Sequence, residues 1–300
     1  MSIIHGQGLG YQYPQHGIHQ PYALKDVNIR VEKGLFTAVI GATGSGKSTL
    51  MQHLNGIYQP TEGRLKVFDT LFEAGYKRKG LNPLRKRVGL VFQFPEQQLF
   101  EETLEKDLMF GPLQFGMSKE EARQSALRAM RAVGLPEELL GRSPFELSGG
   151  QMRKAAIATV LASDPELIVL DEPTATLDPV SRQELIALLK SLCTQQGKTV
   201  IMVTHRLDEV LDAADQFVIM KQGTVSFQGT KEQMLAHTDA LREADIAAPS
   251  AVKLAMQIQS ITGKKLETLP ASVEDWADWF MHWQEGTHRS SKDMVMEKEA

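Results

Sequence analysis

The sequence predicts an α/β fold with a mostly parallel sheet at its core, and three observations carry that expectation. Short apolar runs, rich in β-branched residues, recur at 35–40, 88–92, 167–170 and 199–203. Runs of that length and composition are the mark of strands buried on both faces. Helical stretches lie between them, as parallel strands require. The first run also leads straight into Gly41-Ala42-Thr43-Gly44-Ser45-Gly46-Lys47-Ser48-Thr49 and a helical Leu50-Met51-Gln52-His53-Leu54. That stretch meets the pattern G-x-x-x-x-G-K-[ST] in its strand–turn–helix setting.

The chemistry of the loop follows from its residue types. Glycines let backbone N–H groups curl round phosphate oxygens where a Cβ would clash. The helix start adds unpaired donors and a dipole that favours an anion. Lys47 is placed to reach β- and γ-phosphates, and the Ser48 hydroxyl to ligate Mg²⁺. The loop implies a nucleoside triphosphate, read as ATP once the family below is considered.

At 300 residues the chain can bury a substantial core, and 42% hydrophobic with 23% charged residues is a globular composition. A formal net charge of -4 supplies no global field for nucleic acid, and no nucleic-acid partner is expected. The one cysteine, Cys193, has no internal disulfide partner and reads as a packing residue. No secretory signal is apparent at 1–6, and no apolar run approaches the roughly 18 residues a membrane span needs. A membrane role would come through a partner.

Taken in order, residues 9–13 and 23–31 read as strands joined by a polar loop, and Tyr13 stands before Pro14 with an aromatic face to offer a base. A strand is expected at 63–69, then a solvated basic loop at 76–87 holding Lys77, Arg78, Lys79, Arg85, Lys86 and Arg87. The run 88–92 ends at Gln93, which is placed to touch Mg²⁺ or an attacking water. From about 95 to 162 the pattern turns helical. Within it, Leu147-Ser148-Gly149-Gly150-Gln151 opens an apolar helix, a second anion-binding terminus in one chain.

The strand at 167–170 delivers Asp171 and Glu172 at its carboxyl end, suited respectively to hydrated Mg²⁺ and to polarising water. A turn at 174–178 precedes a helix that opens on Pro179 and ends at Gly197. The strand at 199–203 ends at Thr204-His205, so His205 joins Gln93, Asp171 and Glu172 at one sheet edge. Short strands follow at 217–220 and 224–227, then helices. Near the end Trp276, Trp279, Phe280 and Trp283 recur on one helical face, read as packing in an appendage or at a subunit interface.

Together these motifs resemble the ATP-binding-cassette (ABC) ATPases over roughly residues 1–230. Gly41–Thr49 stands as phosphate loop, Gln93 as Q-loop, Leu147–Gln151 as signature, Asp171–Glu172 as the Walker B end, Asp178 as D-loop and His205 as switch histidine. The resemblance implies a P-loop NTPase fold with an antiparallel β subdomain, a helical signature subdomain at about 95–162 and an α-rich appendage at 231–300. It implies an ATPase with Glu172 as general base, His205 on the γ-phosphate, Tyr13 stacked on adenine, and Mg²⁺ held by Ser48, Gln93 and Asp171. It also implies a dimer in which Ser148, Gly149 and Gly150 cover the ATP of the other subunit. One departure is Thr176, where a small residue is usual.

A narrower resemblance sits at Val91-Phe92-Gln93-Phe94-Pro95-Glu96-Gln97-Gln98-Leu99-Phe100-Glu101-Glu102-Thr103 and Phe110-Gly111-Pro112. It is to the second ATPase paralogue of energy-coupling factor (ECF) transporters. That implies pairing with a paralogous ATPase, a transmembrane coupling subunit and interchangeable substrate-capture membrane proteins. It places the chain peripherally on the cytoplasmic side of the cell membrane. Two alternatives stay open here: the homodimeric ATPase of another ABC transporter, or a non-transport ABC ATPase.

Overall fold

The computed structural model describes residues 1–14, 21–175, 177–250, 252–254, 257–258 and 276–281. Strands β1 (Ser2–Gln12) and β2 (Tyr22–Glu32) open the chain, followed by β3 (Phe36–Ile40), α1 (Lys47–Leu54), β4 (Glu62–Val67) and β5 (Thr70–Glu73). Four of these strands form an antiparallel sheet in the order β2-β1-β4-β5. β1 starts at Ser2, well ahead of the run expected at 9–13. Ile4 pairs with both Val31 and Val67, an arrangement that the short apolar pair Ile3-Ile4 among polar and glycine residues does not announce.

The basic segment expected as a loop contains a helix, α2 (Asn82–Arg87), entered through Pro83 at its start. Its last residue is only partly solvated: Arg87 Nε bonds Glu166 Oε1 at 2.6 Å, and its guanidinium lies 3.8 Å from the Phe68 ring centre. Pairing and stacking supplement the hydration of this charge.

After β6 (Val88–Val91) comes the helical insert of α3 (Leu104–Gln114), α4 (Lys119–Ala132) and α5 (Gly149–Ala162). α4 begins with a capping box between Ser118 and Glu121, and buries Ala122, Ala126, Ala129 and Met130. The chain continues through β7 (Leu167–Asp171), α6 (Pro179–Gln196), β8 (Thr199–Thr204), α7 (Leu207–Val210), β9 (Gln216–Lys221), β10 (Thr224–Gly229), α8 (Lys231–Ala236) and α9 (Thr238–Glu243).

The second sheet runs β10-β9-β3-β8-β7-β6, and only the edge strand β10 is antiparallel to its neighbour. Two cores flank it. Phe36, Ala38, Ile168, Leu170, Val200 and Met202 face the helical side. Val39, Val169, Ile201 and Val203 face α1 and the antiparallel sheet. Burial on both faces explains why these strands read as unbroken apolar runs. Parallel register also brings the carboxyl ends of β3, β6, β7 and β8 to one edge, where a ligand site belongs.

Cys193 is buried in the helical-side core, and burial pushes its thiol up to about 11, in keeping with a packing role. At the start of the expected appendage, Met234, Leu235, Leu241 and Ile246 pack into the same core. Farther on, Trp276 is buried and meets Trp279 and Phe280 at ring-centre distances of 5.3 and 5.7 Å. Trp283 and Thr176 lie outside the described residues.

His53 adds a pH dependence to this core. It is fully buried on α1, its Nδ1–H donates to Thr49 O at 2.7 Å, and burial pushes its pKa from 6.5 down to about 4. The unfolded chain takes up the proton near 6.5 and the folded chain only near 4, so the contribution is complete above pH 6.5 and is lost as pH falls towards 4. The loss is about 3 kcal/mol. His53→Leu is expected to flatten the melting-temperature curve between pH 6.5 and 4. An equally steep fall in that variant would refute this role.

Candidate nucleotide site

The loop between β3 and α1 is clamped from outside. Gly223 N donates to Ser45 O at 3.0 Å and Lys25 N to Gly223 O at 2.8 Å, so the β9–β10 turn and β2 hold its back. A Cβ on Gly41 would stand 2.4 Å from Met220 O, and Gly46 has a φ of 99°. Both positions therefore exclude other residues for internal reasons. The first N–H groups of α1 have no intrahelical acceptor, and the buried Ser45 hydroxyl is without a partner. An orphaned hydroxyl beside a helix N-terminus is what a phosphate oxygen would satisfy.

Lys47 is almost fully buried and donates to Gly41 O and Ala42 O, each at 2.8 Å. Burial lowers its pKa, while Glu172 and Asp171 pull it back upward. The ammonium thus lies folded over its own loop, poised to exchange two carbonyls for phosphate oxygens. Asp171 ends β7 and is also buried; burial raises its pKa, opposed by a hydrogen bond from Ser48 and by Lys47. Ser48 and Asp171 are hard oxygen donors in contact, a fit for Mg²⁺ shared with a bound phosphate.

Glu172 follows at φ 48°, a left-handed conformation that non-glycine residues rarely adopt. Its N–H still donates to Val203 O at 2.9 Å, so the turn is stitched to β8 while the side chain swings to the sheet edge. There Glu172 Oε1 meets His205 Nδ1 at 2.9 Å. The Glu172 side chain is 11% exposed and that of His205 56%, a sheltered carboxylate beneath an accessible imidazole.

Tyr13 is tied to the same helix. Its hydroxyl shares a 2.8 Å hydrogen bond with Thr49 Oγ1, and its ring stands edge-on to Tyr11 and Tyr58 at 5.1 and 5.4 Å. Gln93 lies two residues beyond Val91, which pairs with Leu170 on the neighbouring strand. It is exposed, and among the described residues no hydrogen bond joins it to Ser48, Asp171 or Glu172.

The second helix start expected to bind an anion is separate. Ser148 caps α5 through a reciprocal box with Gln151, while Leu147 is buried beneath it. No hydrogen bond or ion pair among the described residues connects this turn to Gly41–Thr49. A Cβ on Gly149 or Gly150 would meet nothing within 4 Å, so nothing inside this chain demands glycine there. Asp178 accepts from Val180 N and Ser181 N, both at 3.0 Å, and serves as the cap of α6.

The ABC transporter family model matches residues 24–175. This chain belongs to the ABC transporter family. Its sequence is 49% identical, over 90% of this chain and 92% of the relative, to the energy-coupling factor transporter ATP-binding protein EcfA2 of Bacillus cereus. It is 51% identical to EcfA2 of Listeria monocytogenes, over 82% of this chain and 85% of that one. Among solved structures it is similar to cbiO1 from Clostridium perfringens, part of the ABC transporter complex cbiONQ. That match has a TM-score of 0.70 at 33% identity, over 88% of this chain and 99% of that one. It is also similar to the ATP-binding cassette MJ0796, dimeric in a post-hydrolysis state with ADP and Pi, at a TM-score of 0.69 and 31% identity over 76% and 98% of the two chains. The nucleotide-binding ATPase domain of this family is therefore present here, and no helix among the described residues is long and apolar enough to cross a membrane.

Sequence reasoning missed several polar residues around this ABC site. Asp107, buried on α3, accepts from Phe100 N and Glu101 N at 3.2 Å each and pins the loop that follows Gln93. Arg153, buried on α5, lies 3.4 Å from Glu96 and so ties the signature helix to that same loop. Glu209, on α7, contacts segments far away in sequence. A charge inside a helical pattern usually signals a solvated face, so sequence alone offers no cue to these burials.

Proposed function

We propose that this chain is the ATP-hydrolysing subunit of an ECF-type importer that drives uptake of vitamins or other micronutrients. In this reading residues 1–230 are the ATP-binding domain and 231–300 an appendage that supports dimerisation. The chain pairs with a paralogous ATPase on the cytoplasmic face of the cell membrane. There the pair docks on a transmembrane coupling subunit, which serves interchangeable substrate-capture membrane proteins. The similarity to EcfA2 over 90% of the chain carries this reading.

The geometry supports a site shared between two chains. Gly41–Thr49 grips the phosphates of ATP, with Lys47 moving from its own carbonyls to the β- and γ-phosphates. Ser48, Asp171 and Gln93 are the residues that would hold Mg²⁺, and the ion would supply charge neutralisation at the phosphates. Glu172 accepts the proton of the attacking water as the new P–O bond forms and the bond to ADP breaks. His205, held at Nδ1 by Glu172, keeps Nε2 free to meet a γ-phosphate oxygen. Ser148, Gly149 and Gly150 close over the other chain's ATP, and the openness of both glycines supports that use. Asp178 lies in the D-loop between the two sites.

Closure needs a route to the membrane. A groove of about 440 Å³ between the sheet and the helical insert is lined by Phe92, Phe100, Phe110 and Phe115. It adjoins the Gln93 loop, and a helix of the coupling subunit is its proposed occupant. The test is affinity purification of the tagged chain from detergent-solubilised membranes. A transmembrane subunit and a second, different ATPase are expected in about equal amounts with it. Recovery of this chain alone would contradict the proposal, and a membrane subunit with two copies of this chain would replace the ECF reading with a homodimeric transporter.

A further inference from the structure

One carboxylate next to the site has a buried side chain that the mechanism above does not use. The Glu209 side chain is 2% exposed, and three segments converge on it. Thr174 Oγ1, two residues beyond Glu172, donates to Oε2 at 2.5 Å. Arg206 Nε, one residue beyond His205, lies 2.9 Å from Oε1. Arg182 Nε, on α6, lies 3.0 Å from the same oxygen. Both guanidinium approaches are too oblique to be hydrogen bonds, so the attraction there is between charges. Arg182 also donates to Leu177 O at 3.0 Å, and Leu177 precedes Asp178.

A carboxylate this deep is retained only when charge and hydrogen bonding offset its lost hydration. Here two arginines and a hydroxyl do so, and each belongs to a segment that carries a proposed site residue. Thr174 extends the turn of Glu172, Arg206 extends the strand end of His205, and Arg182 grips the D-loop carbonyl. Moving any of the three leaves the buried charge under-compensated, so the three segments are held in register.

We infer that Glu209 is a positioning residue that keeps Glu172, His205 and the D-loop in working alignment. The inference rests on the roles proposed above for Glu172 and His205. It assigns the residue no contact with nucleotide, so its loss acts on the chemical step and not on ATP binding.

Glu209→Gln keeps the size and an acceptor for Thr174 but removes the charge facing two guanidiniums. In the purified complex kcat is expected to fall on the order of tenfold, with KM for ATP and fluorescent-nucleotide affinity within about twofold of wild type. Glu209→Asp, which keeps the charge, is expected to recover part of the rate. Should Glu209→Gln fail to fold, Thr174→Val and Arg206→Gln each remove one contact and are read by the same split between kcat and KM. An unchanged kcat, or a KM that rises in parallel with the loss of rate, overturns the inference. Glu172→Gln run alongside separates the two levels. If it is inactive while Glu209→Gln is normal, the positioning role alone fails; if it turns over normally, the catalytic reading beneath it fails as well.

Discussion

Glu172→Gln is expected to lower ATP turnover by about 10²–10⁴-fold, the usual contribution of a positioned general base. Nucleotide affinity should stay within roughly twofold, because Lys47, Ser48 and the loop donors are untouched. The amide has nearly the volume of the carboxylate and still accepts from His205 Nδ1–H, which now lies 2.9 Å from Oε1. The left-handed turn at φ 48° belongs to the backbone and is retained. On the proposed mechanism what is lost is the proton acceptor, so ATP should remain bound and the proposed pair of ATPases closed on it. Steady-state phosphate release together with size-exclusion chromatography in ATP checks both halves of the expectation. Full turnover in the variant would remove Glu172 from the role of base.

Gly150→Asp is the second large effect, and its interest lies in the contrast between stability and activity. Gly150 sits in the first turn of α5, and a Cβ there meets nothing within 4 Å. Replacing glycine in a helix gains up to about 1 kcal/mol of propensity, and an acidic side chain in the first turn favours the dipole. The variant's melting temperature is therefore expected to hold or rise slightly. Turnover should nevertheless fall on the order of 10²-fold or more, since in the proposed dimer a carboxylate would stand where the partner's bound phosphate approaches, and like charges brought together cost several kcal/mol. Ser148→Ala is the milder control, costing roughly 1 kcal/mol of capping without adding charge.

What the sequence discloses and what it withholds divide along the range of the interactions. The phosphate loop, the Ser148–Gln151 helix start and the strand ends at Asp171–Glu172 and His205 are local patterns, each readable within about ten residues. The buried parallel strands are equally plain, because burial on both faces leaves no alternation to misread. Tyr13 stays exposed, but the sequence does not announce its edge-on packing with Tyr11 and Tyr58 or its hydroxyl bond to Thr49. Asp107, Arg153 and Glu209 were out of reach, since what makes each consequential is a partner brought near only by folding. His53 illustrates the same limit, as nothing in its neighbours in sequence announces complete burial.

The central claim is that this chain's signature serves the ATP held by the other subunit. The most direct measurement uses the two-ATPase complex carrying Gly150→Asp in this chain alone. ATP with a photoreactive base is trapped with vanadate, irradiated, and the labelled subunit identified. The composite-site reading predicts that trapped nucleotide disappears from the partner ATPase while this chain remains labelled. Loss of label from this chain, with the partner's retained, would contradict it.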